Sequence, residues 1–495
     1  MIKNKISETY FPGLNSDFVM REFSLLTKEN DVGCIAVGFE AMVSSDLINR
    51  NILSPLMLLG ADVEKKDLCQ KVYRSLLTHV NVIMTDDFKV AVEMVNVGSC
   101  ALFIDGIDFI FIADVKNFPM RSLQNPITEN VIRGPQQGFT ESIRSNTAIL
   151  RKVLRDENLI IENVTMGKRG KANAALCYLN NITNDKLVKR LRNRLKEIEF
   201  DYIFDSGELE QYIESNTFSV FPQIMSTERP DMVAASLADG KLAVFLDGSP
   251  FALVLPITLT DLTHTVEDRY LRMPYANLMV VIRLIALLSS TLLSGMYIAI
   301  MAYHREGIPT ELLFDIIKSR ELVPFSIVTE ILLLEIFFEL IREASFRMPT
   351  VMGGTLGIVG GLVIGQAAVS ANLFSPLPII IVAFGGISAF VIPNYYLSYG
   401  VRIIKFVMII LGGIMGYMGI AVGLVITGLV FSSQDILGVP LVAPISPEGI
   451  RPVKRMFFVE PVYKREKRSE IFNPKILRKQ PHISRKWILR ERGDR

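Results

Sequence analysis

The residues with the clearest potential for chemistry are three carboxylates in an apolar stretch. Glu330, Glu335 and Glu339 interrupt the segment 323–341, in which most other residues are apolar. Glu339 follows Glu335 by four residues, so a helix places both carboxylates on one side. A carboxylate at the centre of a lipid-exposed helix costs about 2.5–3.5 kcal/mol, so a lone lipid-facing span is an unfavourable place for three of them. Either they form the solvent-exposed face of a helix at the membrane interface, or several copies of the chain assemble so that these carboxylates form a ring that attracts cations.

The segment after Met352 has small residues at a regular spacing. Four glycines recur at every fourth position: Gly353, Gly357, Gly361 and Gly365. They leave one helix face bare, so the backbone of another helix can approach closely. A second set follows in the last apolar stretch: Gly412, Gly416, Gly419 and Gly423.

Two interpretations of the first glycine segment are open. It packs tightly within one helix bundle, or it lines a narrow, apolar pore in an oligomer, where dewetting would gate conduction. In the second case we place three residues of the opposite face toward the pore: Val359, Val363 and Gln366. The glycine face is the alternative lining, and spacing does not separate the two orientations.

A charged cluster precedes the apolar half of the chain. Arg229 lies between Glu228 and Asp231, a spacing that favours a structural ion pair over a ligand site. Because the cluster lies shortly before the first apolar stretch, we hypothesise that it couples the N-terminal half to that stretch.

Catalytic and metal-binding motifs do not accompany these residues. The sequence has no GxSxG and no HExxH, and GKRGK (167–171) lacks the spacing of a phosphate loop. The four cysteines form no CxxC pair and the four histidines are scattered. We therefore expect no enzyme, no metal site and no cofactor.

The N-terminal half must position these groups, and its pattern predicts an α+β fold. Asp105-Gly106 and Asp247-Gly248 each separate two short apolar runs, as in hairpins with type I′ turns. A third hairpin is predicted around 167–171. The segment 185–199 has apolar residues at helical spacing and Asn184 or Thr183 as N-cap. We predict two α+β subdomains, 1–150 and 151–260.

The C-terminal half predicts a membrane region at 261–435 and a basic tail at 436–495. Four apolar stretches are long enough to cross a bilayer: 275–302, 353–373, 377–396 and 402–432. From Arg451 onward the tail has 15 Lys or Arg and 5 Asp or Glu, which favours the cytoplasmic side over a nucleic-acid partner. An N-terminal half and a tail that are both cytoplasmic require an even number of crossings. We therefore predict four spans rather than five, with the acid-bearing helix 323–341 at the interface or in a protected cavity.

Arg283 lies within the first predicted span. Either it extends toward the headgroups, or it pairs with one of the buried glutamates.

Seven stretches carry a resemblance to a known family. They are RGPQQGFTESIRSNTAILRKVL (133–154), FPQIMSTERPDMVAASLADGKLAVFLDGSPFALVLP (221–256), VEDRYLR (266–272), IPTELL (308–313), ELVPFSIVTEILLLEIFFELIREASFRMP (321–349), IVGGLVIGQAAVSANLFSP (358–376) and LGVPLVAP (437–444). Together they resemble the A subunit of the GerA-type spore germinant receptors, over about residues 95–445. The chain departs from the family at Gln136-Gln137 and at Asp268-Arg269-Tyr270, and residues 1–90 match only loosely.

The resemblance implies a place and partners. Such proteins are expected in the inner membrane of the bacterial endospore, with a transporter-like B subunit and a lipoprotein C subunit. The A subunit is expected to oligomerise into an ion channel that opens in response to nutrients. The alternatives are a transporter-like subunit and a scaffold that couples a nutrient-binding partner to germination without conducting ions.

Overall fold

The computed structural model describes residues 2–25, 27, 31–58, 68–117, 126, 129, 131, 133–265, 267–347, 365–443, 445, 458–481 and 485. The chain divides into two compact units. An α+β unit contains Met1–Glu214, Ile224–Pro256 and Val462–Arg495, and a helical unit contains Ser215–Gln223 and Ile257–Pro461.

The α+β unit has two five-stranded antiparallel sheets. The strands are β1 Phe18–Leu25, β2 Val32–Phe39, β3 Val82–Thr85, β4 Cys100–Ile104, β5 Ile110–Ala113, β6 Leu159–Met166, β7 Ala172–Leu179, β8 Met225–Thr227, β9 Leu242–Leu246 and β10 Ala252–Leu255. The first sheet has the order β1-β2-β4-β5-β3 and the second the order β6-β7-β9-β10-β8. The two orders are the same pattern shifted by five strands, so the unit contains one topology twice.

Short helices connect and cover these strands. They are α1 Ile2–Tyr10, α2 Ser45–Ile48, α3 Ser54–Leu58, α4 Leu68–Lys71, α5 Phe88–Asn96, α6 Ile143–Val153, α7 Asp185–Glu197, α8 Ser206–Ile213 and α9 Pro230–Ala238, with π-helical turns at Asn49–Leu53 and Val72–Leu76. The predicted amphipathic helix is confirmed as α7. The side chain of Asn184 accepts a hydrogen bond from the backbone N–H of Lys186, which makes Asn184 the N-cap.

The three predicted hairpins are confirmed as β4–β5, β6–β7 and β9–β10. The predicted type I′ turns are wrong. Gly106 and Gly248 have φ of 81° and 93°, whereas the aspartate before each glycine has no positive φ. The connections run over five residues, 105–109 and 247–251, so one left-handed residue is enough to reverse the chain.

A buried arginine joins the two halves of the α+β unit. Arg151 of α6 donates to both carboxylate oxygens of Asp17, at 2.5 and 2.7 Å, and to Oδ1 of Asn15 at 2.8 Å. Its guanidinium carbon lies 3.9 Å from the ring centroid of Phe39. Because a guanidinium has five donors, this one residue satisfies several buried acceptors between the first sheet and α6.

The helical unit consists of helices of very different lengths, of which four are apolar. They are α10 Leu259–Thr263, α11 Glu267–Tyr270, α12 Met273–Tyr303, α13 Thr310–Arg320, α14 Ile327–Arg347, α15 Gly365–Ser370, α16 Pro376–Phe390, α17 Tyr395–Met415 and α18 Tyr417–Ser432, followed by the two-residue strands β11 Asp435–Ile436 and β12 Val439–Pro440. By length and composition, α12 and α17 could cross a membrane, and α16 and α18 are shorter apolar helices. Arg283 of α12 pairs with Asp268 at 2.6 Å, not with a glutamate of α14.

The structure corrects the prediction of one span over 402–432. The chain ends α17 at Met415, turns at Gly416 with φ of 59°, and begins α18 at Tyr417. A Cβ on Gly419 would lie 2.0 Å from the carbonyl oxygen of Leu411, so α18 folds back on α17. Only glycine permits this turn and this approach together.

Part of the basic tail is folded. Residues 458–481 include two 3-10 turns, at Val462–Lys464 and Glu470–Phe472. The backbone N–H of Lys475 donates to the carbonyl of Ile182 at 2.8 Å, and Nζ of Lys475 lies 2.6 Å from Oδ1 of Asp185. Phe472 is buried. Within residues 462–481 the tail is therefore part of the α+β unit.

Candidate functional site

The three carboxylates of α14 lie in the helical unit against cations of the chain itself. Glu330 is fully buried and contacts Nη1 of Arg320. Its other oxygen accepts hydrogen bonds from the backbone N–H and the hydroxyl of Ser375, at 2.6 and 2.7 Å. Glu330 thus joins the end of α13 to the residue before α16.

Glu335 is also fully buried and joins three helices. It contacts Nζ of Lys405 on α17, and the hydroxyl of Ser294 on α12 donates to it at 2.7 Å. Removing one partner of a buried ion pair typically costs about 3–5 kcal/mol, because the other charge is then left buried and uncompensated. Glu335 and Lys405 therefore depend on each other.

Glu339 completes a cluster one turn further along α14. Its carboxylate contacts Arg342 and lies 3.6 Å from Nη1 of Arg402 and 3.8 Å from Nζ of Lys405. We use the name charge cluster for these five residues: Glu335, Glu339, Arg342, Arg402 and Lys405. The cluster contains two carboxylates and three cations. The cation-attracting role predicted for the glutamates stays a prediction, and the cations they contact here belong to the same chain.

Most of the residues predicted to line a pore or pack at glycines lie outside the described residues: Val359, Val363, Gly353, Gly357 and Gly361. Gln366 and Gly365 are described at the start of α15. Gln366 is exposed, and a Cβ on Gly365 would have no atom within 4 Å. The pore assignment therefore stays a prediction.

Close helix packing at glycine is seen in the second set. A Cβ on Gly412 of α17 would lie 2.8 Å from the carbonyl oxygen of Gly295, and one on Gly295 would lie 2.8 Å from that of Met408. Helices α12 and α17 therefore cross with their backbones in near contact, as small residues at this spacing predict.

Arg229 forms the predicted ion pair within the α+β unit. It donates to both oxygens of Asp231, at 2.7 and 3.1 Å, and its side chain is buried. The backbone N–H of Glu228 and the hydroxyl of Thr227 donate to the carboxylate of Glu129, at 3.0 and 2.6 Å. Burial raises the pKa of Glu129 above its ordinary value, although these hydrogen bonds oppose the rise. The coupling role of Glu228, Arg229 and Asp231 stays a prediction.

A short loop that the sequence analysis missed connects the two units covalently. Residues 215–223 follow α8 and precede β8, both of the α+β unit, yet the loop belongs to the helical unit. Nε2 of Gln223 donates to Oε1 of Gln434 at 3.1 Å, and the rings of Phe221 and Phe431 pack edge to face at 4.8 Å. A Cβ on Gly400 would lie 2.3 Å from the carbonyl oxygen of Val220. We use the name coupling loop for residues 215–223.

The α+β unit also contains a cleft that no sequence pattern indicated. It has a volume of about 580 Å³, within the range of small-molecule pockets, about 300–1,000 Å³. Apolar side chains of β1, β2 and α2–α3 line it together with Arg21 and Glu40.

The structure so far defines a class: an α+β unit with a duplicated topology, joined to an apolar helical unit with a buried charge cluster. The family model described as Bacillus/Clostridium GerA spore germination protein matches residues 2–471. This chain belongs to the GerA family of spore germination proteins.

Individual relatives agree with this assignment. The chain is 34% identical to spore germination protein KA of Bacillus subtilis over 458 residues, which cover 92% of this chain and 84% of the relative. It is 38% identical to spore germination protein GerLA of Bacillus cereus, over 77% of this chain and 79% of the relative. An uncharacterized membrane protein of Bacillus subtilis, YfkQ, is 36% identical over 90% of this chain and 86% of its own length.

A solved structure is also similar to part of the chain. It is the N-terminal domain of the A subunit of the Bacillus megaterium spore germinant receptor GerK3, at 30% sequence identity and a TM-score of 0.40. The match covers 51% of this chain and 92% of the solved chain.

Proposed function

We propose that this chain is the membrane subunit of a nutrient germinant receptor and that several copies form an ion channel that nutrients open. The observation that carries the proposal is the apolar outer surface of two long helices. Leu278, Ile285 and Leu288 of α12 are each more than half exposed, as are Ile403 and Ile414 of α17. Such a surface needs lipid or another subunit to cover it.

The receptor is proposed to lie in the inner membrane of the endospore, with the α+β unit and the tail in the cytoplasm. The tail contacts of Lys475 with Ile182 and Asp185 favour an even number of crossings, because both ends of the helical unit then lead to the α+β unit. A transporter-like B subunit and a lipoprotein C subunit are the proposed partners.

We propose that the coupling loop transmits conformational changes from the α+β unit to the helical unit. A change in α8 or β8 would move Gln223, whose amide is bonded to Gln434 just after α18. Arg229 lies two residues after β8 and is proposed to hold this strand in position. If the Arg229→Ala protein assembles and its spores germinate normally, Arg229 does not contribute to the coupling.

The test is ion flux through the purified chain in liposomes, with the oligomeric state measured in the same preparation. We expect a discrete oligomer that conducts cations, with conduction changed by Val363→Ala and Gln366→Ala. Gly428→Ala is the matched control, because a Cβ there would have no atom within 4 Å. A folded monomer that conducts nothing would contradict the channel and favour the scaffold alternative.

A further inference from the structure

The charge cluster of the helical unit contains one cation in excess. Two carboxylates, Glu335 and Glu339, face three cations. The other two glutamates of α14 do not neutralise the third cation, since Glu330 pairs with Arg320 and Glu343 pairs with Arg347.

The surrounding sequence does not supply the missing negative charge. Residues 344–432 contain no Asp or Glu, and neither does α12. Moving an unpaired ion out of water costs several kcal/mol even after the protein relaxes. An anion from outside the chain would remove this cost.

Two arginines of the cluster have a nitrogen without a hydrogen-bond acceptor among the described residues, Nη2 of Arg342 and Nε of Arg402, and Arg402 is the more exposed of the two. The Nε atom of Arg402 is itself buried, and 13% of the Arg402 side chain remains exposed. A guanidinium offers parallel N–H groups that match the oxygens of a phosphate.

Two tyrosines accompany Arg402 near the start of α17. The guanidinium carbon of Arg402 lies 4.1 Å from the ring centroid of Tyr399, whose hydroxyl is 2.6 Å from that of Tyr395. Both rings are partly exposed near the start of α17. Tyrosine is enriched where a membrane protein meets the lipid headgroups, which is where a lipid phosphate lies.

We propose that the charge cluster binds the phosphate of an anionic phospholipid at Arg402, beside Tyr395 and Tyr399. The inference rests on the proposed membrane location and is independent of ion conduction. The bound phosphate balances the third cation and fixes α14 against α17. Inorganic phosphate offers the same chemistry and is the alternative source.

The test measures thermal unfolding of the full chain in dodecyl maltoside, which contains no phosphate. Three samples are compared: the first has no addition, the second has phosphatidylglycerol and the third has inorganic phosphate. A ligand that binds the folded state raises the unfolding midpoint, by about 2–4 °C for each kcal/mol in a unit of this size. We expect phosphatidylglycerol to raise the midpoint of the wild type and of R347Q, whose replaced arginine is exposed, but not that of R402Q.

The third sample shows whether the bound phosphate comes from a lipid headgroup or from free phosphate. If inorganic phosphate alone raises the wild-type midpoint, the site takes a free phosphate; if only phosphatidylglycerol does, it takes a lipid headgroup. An equal rise for R402Q and wild type would overturn the proposal, and so would a wild type that responds to neither addition.

A second variant keeps the test decisive should R402Q fail to fold. Y399E places a carboxylate beside Arg402 and so supplies the missing charge within the chain. We expect its midpoint not to depend on added phosphate groups, and a wild-type response in Y399E would overturn the proposal. A wild-type lipid response without ion flux in liposomes would leave the phosphate site in place and remove the channel.

Discussion

The side-chain amide of Gln223 donates a hydrogen bond to that of Gln434 at 3.1 Å, across 211 residues of chain. Both side chains are almost fully buried. Gln223 ends the coupling loop, and Gln434 follows α18 by two residues. The pair therefore connects a segment that interrupts the α+β unit to the end of the last long helix.

Replacing Gln434 by Ala should uncouple this connection. The amide nitrogen of Gln223 would keep the carbonyl of Asn216 as an acceptor at 2.9 Å but lose Oε1 of Gln434. One buried N–H group would then be unsatisfied, which costs about 1–3 kcal/mol. We expect spores with normal amounts of the protein to respond weakly to nutrients. Ser432→Ala is the control, because that hydroxyl is exposed and donates to the carbonyl of Leu429 on its own helix. A normal nutrient response from Gln434→Ala would show that coupling runs elsewhere.

Replacing Gly412 by Ala should separate α12 from α17. The added methyl group would lie 2.8 Å from the carbonyl oxygen of Gly295. Overpacking of this kind costs about 1–3 kcal/mol, so thermal unfolding in detergent should begin at a lower temperature. Gly428→Ala on α18 meets open space and should be neutral or slightly stabilising, because Ala favours a helix over Gly by about 1 kcal/mol. Equal midpoints for the two variants would contradict the close crossing.

The α+β unit should lose stability as the pH rises toward 8. Burial, with a smaller contribution from Glu214, raises the pKa of Glu210 from 4.5 to about 8. A group whose pKa is raised on folding stabilises fully below its unfolded pKa, and this stability is lost as the pH rises through the folded value. The slope is at most about 1.4 kcal/mol per pH unit between roughly pH 5 and pH 8.

Glu210→Gln should remove this part of the pH dependence. Pulse proteolysis in urea at several pH values gives the unfolding free energy of the variant and the wild type. Glu197→Gln on α7 is the control, because Glu197 is exposed. Parallel pH profiles for wild type and Glu210→Gln would mean that Glu210 is ionised in the folded protein.

Replacing Phe472 by Ala should release the tail from the α+β unit. Phe472 is buried, and Lys241 lies with its Nζ 5.2 Å from the ring centroid. Truncating a buried Phe costs about 3–5 kcal/mol, more than the neighbouring exposed ion pairs supply.

The measurement is the rate of tryptic cleavage within 464–479, which should rise strongly for Phe472→Ala. Ile476→Ala is the matched control in the same segment, because Ile476 is 45% exposed. If Phe472→Ala were cleaved no faster than Ile476→Ala, the tail would not depend on this contact.

Local sequence patterns predicted the elements that local interactions decide. Asn184 and the apolar spacing after it predicted α7, and each Asp-Gly pair predicted a hairpin, because capping and chain reversal depend on a few consecutive residues. The prediction of a type I′ turn at Asp105-Gly106 was wrong, because the pairing of the two strands sets the length of the connection. The prediction of a continuous span over 402–432 was wrong because the chain reversal at Gly416 depends on the packing of α18 against α17.

The sequence by itself determined the family, the two-part character of the chain and the presence of carboxylates in an apolar stretch. Motif identity, composition and periodicity are properties of neighbouring residues, so they are readable without coordinates. The tertiary structure alone decided which cations those carboxylates meet and that the coupling loop belongs to the helical unit. Glu335 and Lys405 are 70 residues apart, and Gln223 and Gln434 are 211 apart. Partners at such separations are chosen by packing of whole helices, which no local pattern encodes.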